Sequence, residues 1–140
     1  MNRPKATPAR AAALLVAALL LSSCDNPANE AGAALYREHC QACHGADGQG
    51  FKNLYPPLAG SGYLRGAPGE LICLITNGVR GDIITADGDY NVLMPAITRL
   101  DDAQLSDLVG YLSDRWAVAD NTSNPLSPAA VAALRKTCVP

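Results

Sequence analysis

The segment Cys40-Gln41-Ala42-Cys43-His44 decides how the rest of the chain is interpreted. Two cysteines three residues apart lie on one face of a helical turn, so both sulfur atoms can reach the two vinyl groups of one porphyrin. The adjacent histidine can then bind the iron from below the ring. A C-x-x-C-H segment is the attachment site of a c-type haem. We therefore expect Cys40, Cys43 and His44 to hold a single covalent haem c.

Two other uses of a C-x-x-C motif fit this chain less well. In a thioredoxin-like protein the motif begins a helix that follows a strand. Here the preceding residues 28–39 are themselves a helix candidate. A zinc site needs two further ligands, and the chain has only one other histidine, His39, next to the motif.

Met94 is the candidate for the second axial ligand of the iron. The only other methionine is Met1, which lies in the N-terminal segment. A lone methionine often just fills a gap in a core, but Met94 follows a polar, glycine-rich stretch and precedes the rigid Pro95. His39 is a poor alternative because it lies one residue from a haem-bound cysteine. We expect His44 and Met94 to be the two iron ligands.

Residues 1–23 have the pattern of a secretory signal peptide, with three basic residues before an uninterrupted apolar run over residues 11–21. That run is shorter than the roughly 20 residues that span a bilayer. Leu21-Ser22-Ser23-Cys24 resembles the lipobox of bacterial lipoproteins. The resemblance implies export, cleavage before Cys24, and a lipid on Cys24 that anchors the protein to a bacterial membrane, facing the periplasm. The alternative is ordinary cleavage nearby, with Cys24 a free thiol.

Composition narrows the class of protein. The formal net charge of −2 argues against a phosphate-binding surface and so against nucleic acid as a partner. Without residues 1–23 the chain would have 117 residues and a net charge of −5, which suits one domain and a partner with a positive patch. Only 5% of the residues are aromatic, so a cofactor is a candidate to fill the interior.

Hydrophobic periodicity and end signals predict helices over about residues 28–40, 68–77, 102–116 and 127–136. Residues 45–62 are predicted to be a loop, and Asp87-Gly88-Asp89 marks the turn of a small hairpin. We divide the chain into a signal peptide (1–23), an anchor linker (24–29), the main domain (30–117), and a C-terminal linker with a short helix packed on it (118–140).

The surroundings of the motif resemble the class I c-type cytochromes over about residues 30–116. Gly32 and Tyr36 precede Cys40 by eight and four residues, as do a glycine and an aromatic residue in that family's first helix. In the family these two cross a C-terminal helix with another aromatic residue, which Tyr111 matches. The resemblance implies an all-α fold of three to five helices around one covalent haem, with a small hairpin and a short C-terminal helix.

The resemblance also implies roles for residues near the two ligands. Pro56 lies 12 residues after His44, and its carbonyl is expected to accept a hydrogen bond from the histidine Nδ1, which orients the ring. Tyr90 and Asn91 resemble a subgroup in which one of these side chains bonds the methionine sulfur.

An iron with both axial positions filled has no open site for a substrate, so the expected function is transfer of single electrons between redox protein partners. We expect no enzyme activity and no small-molecule substrate. One alternative is a haem subunit fixed within an oxidoreductase complex. If Met94 did not bind the iron, a five-coordinate sensor or peroxidase would be the other.

Three further assignments concern residues outside the cysteine motif. Cys73 and Cys138 are an even pair in an oxidising compartment, either bridged or left as two isolated thiols. Arg65 and Arg80 could pair with the haem propionates, or simply be exposed. The partner surface around the haem edge is expected to include Ala42, Ala46, Gln49, Ala96 and Ile97.

Overall fold

The structure is a computed structural model that describes residues 27–52, 54–85, 88–116 and 126–139. The predicted signal peptide and Cys24 lie outside the described residues, as do Asp87 and most of the predicted linker after the main domain. None of the helices within the described ranges is both long enough and apolar enough to cross a membrane.

The described residues form six helices and one antiparallel pair of strands. In chain order these are α1 (Pro27–His39), α2 (Gln41–His44), α3 (Gly62–Arg65), α4 (Pro68–Asn77), β1 (Ile83–Thr85), β2 (Gly88–Tyr90), α5 (Asp102–Trp116) and α6 (Pro128–Arg135). The predicted all-α class with a small hairpin is confirmed, and the four longer helices begin and end within one residue of the predicted limits. The two additional helices, α2 and α3, are single turns.

Helices α1 and α5 cross with their backbones in close contact. A Cβ atom on Gly32 would collide with the Asp107 carbonyl of α5 and with Tyr111 Cβ. One turn further along α1, Tyr36 is almost fully buried and its ring centroid lies 5.7 Å from that of Tyr111. The glycine therefore permits the approach, and the aromatic rings fill the space beside it.

Helix α5 begins with a capping box, as the sequence Asp101-Asp102-Ala103-Gln104 predicts. The Gln104 backbone N–H donates to Asp101 Oδ1 at 2.8 Å, and the Asp101 N–H donates to Gln104 Oε1 at 3.0 Å. Reciprocal bonds of this kind satisfy two backbone donors that the helix itself cannot satisfy. The spacing of the apolar residues predicts one buried face on α5, and its four members are indeed buried: Leu105, Leu108, Val109 and Leu112.

Helix α4 is covered on more sides than its sequence pattern indicates. We predict one apolar face, formed by Leu71, Leu74 and Ile75, and all three lie in or against the core; Ile72, outside this face, is also completely buried. The reason is that α6 also packs against α4, and Cys73 of α4 is joined to Cys138 by a disulfide. The tertiary contact with α6 therefore gives α4 a second buried face.

The hairpin is present, but one of its strands includes residues that were predicted for the turn. Ile83 pairs with Tyr90, Ile84 with Asp89 and Thr85 with Gly88. Gly88 and Asp89 therefore belong to strand β2 and are paired across the sheet, whereas the prediction has them in the turn. The weak alternation of this segment could not specify the register, because turn residues also occur at strand ends.

Helix α6 has the predicted start, in which the Ser127 hydroxyl accepts a hydrogen bond from the Ala130 N–H at 3.2 Å and Pro128 occupies the first turn. The helix packs against α5 and α4. Its Val131 side chain has no exposed surface, so it lies in the same core as Leu105 and Ile72.

The helix crossing predicts opposite effects of the same substitution at two glycines. We expect Gly32→Ala to lower the free energy of unfolding by about 1–3 kcal/mol, because the added methyl group forces α1 away from α5. Gly110→Ala is the matched control, since a Cβ there meets no atom within 4 Å. In a helix that change should raise stability by roughly 0.5–1 kcal/mol. Guanidinium unfolding followed by circular dichroism measures both, and equal effects would contradict the close crossing.

Candidate functional site

The Cys40–His44 motif closes helix α1 and forms the single turn of α2. The Cys40 N–H still bonds to the Tyr36 carbonyl of α1 at 2.9 Å, while the Cys40 carbonyl accepts bonds from the N–H groups of Cys43 and His44 at 3.1 and 2.9 Å. The turn therefore starts at Cys40, and it holds both cysteines and the histidine in one short, hydrogen-bonded unit.

Two cavities lie beside this turn. The larger has a volume of about 470 Å³ and the smaller about 80 Å³. Both are lined by the same five residues: Cys40, His44, Pro56, Ile83 and Met94. Cys43 lines the smaller cavity. The structure therefore brings together the predicted attachment cysteines and both predicted iron ligands.

The residues around the cavities fit a porphyrin. The larger cavity has a volume in the usual range for ligand sites of about 300–1,000 Å³, and its walls are mainly aliphatic. These aliphatic residues come from the loop before α3, from α3, α4 and α5, and from the segment around β1; they include Leu58, Leu64, Leu71, Leu74, Ile75, Val79, Ile83 and Leu112. Haem c would be held here by the thiols of Cys40 and Cys43, with an imidazole and a thioether as donors to its iron.

The His44 ring is oriented by the chain. Its Nδ1 atom lies 3.0 Å from the carbonyl oxygen of Pro56, and since a carbonyl can only accept, Nδ1 carries the proton and Nε2 keeps a free lone pair. Burial lowers the pKa of His44, although the bond to Pro56 acts in the opposite sense. Burial favours the neutral imidazole, and the bond to Pro56 leaves Nε2 free, so the ring is suited to bind a metal through Nε2.

Met94 is held through its backbone by the segment that follows helix α4. Val79 and Met94 form a two-way bridge, with the N–H of each donating to the carbonyl of the other at 2.9 and 3.0 Å. The Ile97 N–H donates to the Ile75 carbonyl at 2.9 Å. Gly78, with a φ of 71°, has no room for a Cβ because the Met94 carbonyl lies against it. Gly78 directly follows helix α4 and thus both ends the helix and permits this close approach.

The loop after His44 is attached to the last turn of α5. The Tyr36 hydroxyl donates to the Gly45 carbonyl at 2.6 Å, and the Trp116 indole N–H donates to the Asp47 carbonyl at 3.0 Å. Gly48 lies directly against the Trp116 ring. Burial raises the pKa of Tyr36 to about 12, so its hydroxyl remains a donor. Sequence reasoning missed the role of Trp116, because its partner is a backbone carbonyl that no residue type encodes.

Two residues that were predicted to contact the Met94 sulfur, Tyr90 and Asn91, do not line the cavities. Asn91 is exposed and its side-chain amide donates to Asp82, so the structure does not bring it to Met94. Tyr90 is buried and pairs with Ile83 across the hairpin, but it does not line either cavity. The short side chain of Asn91 reaches the Asp82 carboxylate instead. The position of Tyr90 is set by its pairing with Ile83 in the hairpin.

Of the two arginines predicted to pair with the haem propionates, only one lines a cavity. Arg65 lines the larger cavity together with Glu70, whereas Arg80 is exposed and lines neither cavity. Of the residues expected around the haem edge, Ile97 lines the smaller cavity. The other four are exposed and line neither cavity: Ala42, Ala46, Gln49 and Ala96.

The other uses of the motif are not favoured by the geometry. Burial raises the pKa of the Cys40 thiol to about 12, which is opposite to the lowered pKa of a reactive thiol in a redox C-x-x-C motif. A helix, not a strand, precedes the motif. Within the described ranges no three His, Cys, Asp or Glu side chains converge on a common metal position.

Comparisons with known proteins agree with this geometry. The family model for cytochrome c matches residues 29–116, which is more than half of the chain. Cytochrome c-552 of Thermus thermophilus is 29% identical over 110 residues, or 76% of this chain and 70% of that protein. The cytochrome c subunit of the quinone-dependent alcohol dehydrogenase of Gluconobacter oxydans is 30% identical over 114 residues.

Some relatives are much longer than this chain. The alignment covers 79% of the chain but only 23% of the Gluconobacter oxydans subunit. The subunit CcoP of the cbb3-type cytochrome c oxidase of Azospirillum brasilense is 36% identical over 97 residues, which are 64% of the chain and 29% of that subunit. The match to the family model and the joint placement of Cys40, Cys43 and His44 lead to one conclusion: the chain belongs to the cytochrome c family, whose members carry electrons on a covalently bound haem c.

Proposed function

We propose that this protein is a membrane-tethered electron carrier in the periplasm, with His44 and Met94 as the axial ligands of a single haem c. The observation that carries the proposal is that Cys40, His44 and Met94 line the same apolar cavity of about 470 Å³. When bound there, haem c supplies a one-electron change at its iron, and an apolar, buried surrounding with a methionine ligand favours a high reduction potential.

The chain's own part in this function is to hold the two iron ligands in place and to surround the cavity with apolar groups that exclude water. The bond from His44 to Pro56 keeps the imidazole in one tautomer, and the bridge from Val79 keeps the Met94 backbone in place. Leu71, Leu74 and Ile75 of helix α4 line the cavity with apolar groups. With both axial positions taken, no site is left for a substrate, which supports electron transfer without enzyme activity.

Redox proteins are the proposed partners. Relatives of this chain are named as a cytochrome c subunit of a quinone-dependent alcohol dehydrogenase and as a subunit of a cbb3-type cytochrome c oxidase. We propose that this chain exchanges electrons with a complex of this kind, either as a tethered shuttle or as a bound subunit. Its excess of acidic residues suits a partner with a positive patch, in a small and transient contact.

The tether is proposed from sequence alone, since Cys24 lies outside the described residues. The lipobox-like segment ending at Cys24 supports attachment to a bacterial membrane by acyl chains. Two or more chains give stable anchoring, because each buried methylene contributes about 0.8 kcal/mol. The haem domain would then lie on the periplasmic face of that membrane.

Replacing the proposed methionine ligand tests the site. In Met94→Leu we expect the ferric protein to lose the weak far-red absorption band of methionine-ligated haem. The ferrous protein should bind carbon monoxide to saturation, while the wild type shows no detectable binding. The reduction potential should fall, because a thioether ligand favours ferrous iron. Optical titration of the ferrous protein with carbon monoxide measures the binding directly.

The wild-type protein provides the decisive control for that experiment. If it has a high-spin ferric spectrum and binds carbon monoxide readily, Met94 is not a ligand. The five-coordinate sensor or peroxidase function would then replace the electron carrier. A periplasm-expressed protein without haem would contradict both of these functions.

The tether has its own test in the full-length chain. We expect Cys24→Ala to move the protein from the membrane fraction to the soluble periplasmic fraction, because the thiol that carries the lipid is gone. Ser23→Ala is the matched control, since a small residue before the cysteine should still permit processing. Fractionation followed by haem staining gives the distribution. A Cys24→Ala variant whose mass shows that the signal peptide has been removed, and which still stays with the membrane, would rule out the lipid anchor.

A further inference from the structure

Residues 126–139, which we call the C-terminal strap, lie beyond the part of the chain that matches the family model. The strap contains α6 and is bound to helix α5 and to Leu100, which lies just before that helix. The Ser106 hydroxyl donates to the Leu126 carbonyl. Arg135 donates to the Leu100 carbonyl at 3.1 Å and to Asp102 at 2.8 Å. A helix with this many specific attachments has a defined position on the domain.

The end of the strap is bound to a different element, the second half of helix α4. Cys138 is joined to Cys73 by a disulfide, and the Asn77 side-chain amide donates to the Val139 carbonyl at 3.1 Å. Earlier in α4, the strap passes close to Gly69, where an added Cβ would lie only 3.2 Å from Leu134 Cδ2. The strap therefore holds α4 from its first turn to its last residue.

The same end of α4 holds residues 91–101, the segment between β2 and α5 that carries Met94 and that we call the methionine loop. The Ile75 carbonyl accepts the Ile97 N–H, and Val79 exchanges two hydrogen bonds with Met94. Gly78 lies against the Met94 carbonyl. Within the seven positions from 73 to 79, one side of the chain is tied to the strap and another to the loop that carries Met94.

From this arrangement we infer that the C-terminal strap is a positioning element for Met94. By fixing the Cys73–Asn77 end of α4, it holds the backbone groups of Ile75 and Val79 that keep the methionine loop closed. This inference rests on the proposed ligation by Met94. Loops held by few hydrogen bonds open locally with small free energies, and the strap lowers the population of the open form by immobilising the bonding partners.

The opening of the methionine loop can be measured with cyanide on the haem-bound ferric protein. Cyanide binds the iron only where Met94 has left, so its apparent affinity is proportional to the fraction of open protein. We expect the double variant Cys73→Ser/Cys138→Ser to bind cyanide about tenfold more tightly than the wild type, because the open fraction rises. Its far-red band should weaken and its reduction potential should fall.

Ser106→Ala is the matched control, because it removes an attachment of the strap to α5 and none to α4. We expect this variant to unfold at a lower guanidinium concentration and to keep the cyanide affinity of the wild type. Asn77→Ala is a milder variant that retains the disulfide and loses the bond to Val139. Its cyanide affinity should rise in the same direction by a smaller factor, and it provides the test if the double variant fails to bind haem.

The outcomes separate this inference from the proposed function. Suppose that the wild type has the far-red band, and that the double variant and Asn77→Ala both keep the wild-type cyanide affinity. This result overturns the positioning role of the strap and leaves the ligation by Met94 intact. Equal increases in Ser106→Ala and in the double variant overturn it too, since they would reflect general stability. A wild type without the band overturns both ideas. Two alkylatable cysteines in the unfolded, unreduced wild type would also overturn the strap.

Discussion

The approach of helices α1 and α5 at Gly32 is the contact on which the site depends. Because the two backbones touch there, Tyr36 is driven into the rings of Tyr111 and Trp116, at 5.7 and 4.9 Å between centroids. The end of α1 is thereby fixed, and the cysteine motif begins at that end. The loop after His44 is then bonded to the last turn of α5 through Trp116.

The parts of this fold that the sequence predicts well are those with a local physical cause. The capping box at Asp101 and the serine cap at Ser127 involve residues three positions apart, so the sequence alone places both helix starts. The cysteine motif is equally local, because one helical turn brings its members together. The pairing of His44 with Pro56 was accessible only through resemblance to a family, since nothing in a spacing of 12 residues requires that bond.

What could not be predicted depends on contacts between distant parts of the chain. Ile72 is buried because α6 covers a second face of α4, and periodicity within α4 contains no information about α6. Asn91 was expected near the methionine sulfur, but its amide bonds to Asp82 across the hairpin base, a choice set by the strand register. The cavity walls are similar in this respect, since their aliphatic residues come from several separate elements.

The disulfide between Cys73 and Cys138 also gives the chain a particular topology. Its 65-residue separation makes a covalent ring that encloses the hairpin, Met94 and all of α5, while His44 lies on the open tail that precedes the ring. A backbone cut at any point inside the ring, for instance between the two strands, leaves both pieces in one molecule. The two proposed iron ligands thus belong to topologically different parts of the chain, one open and one closed.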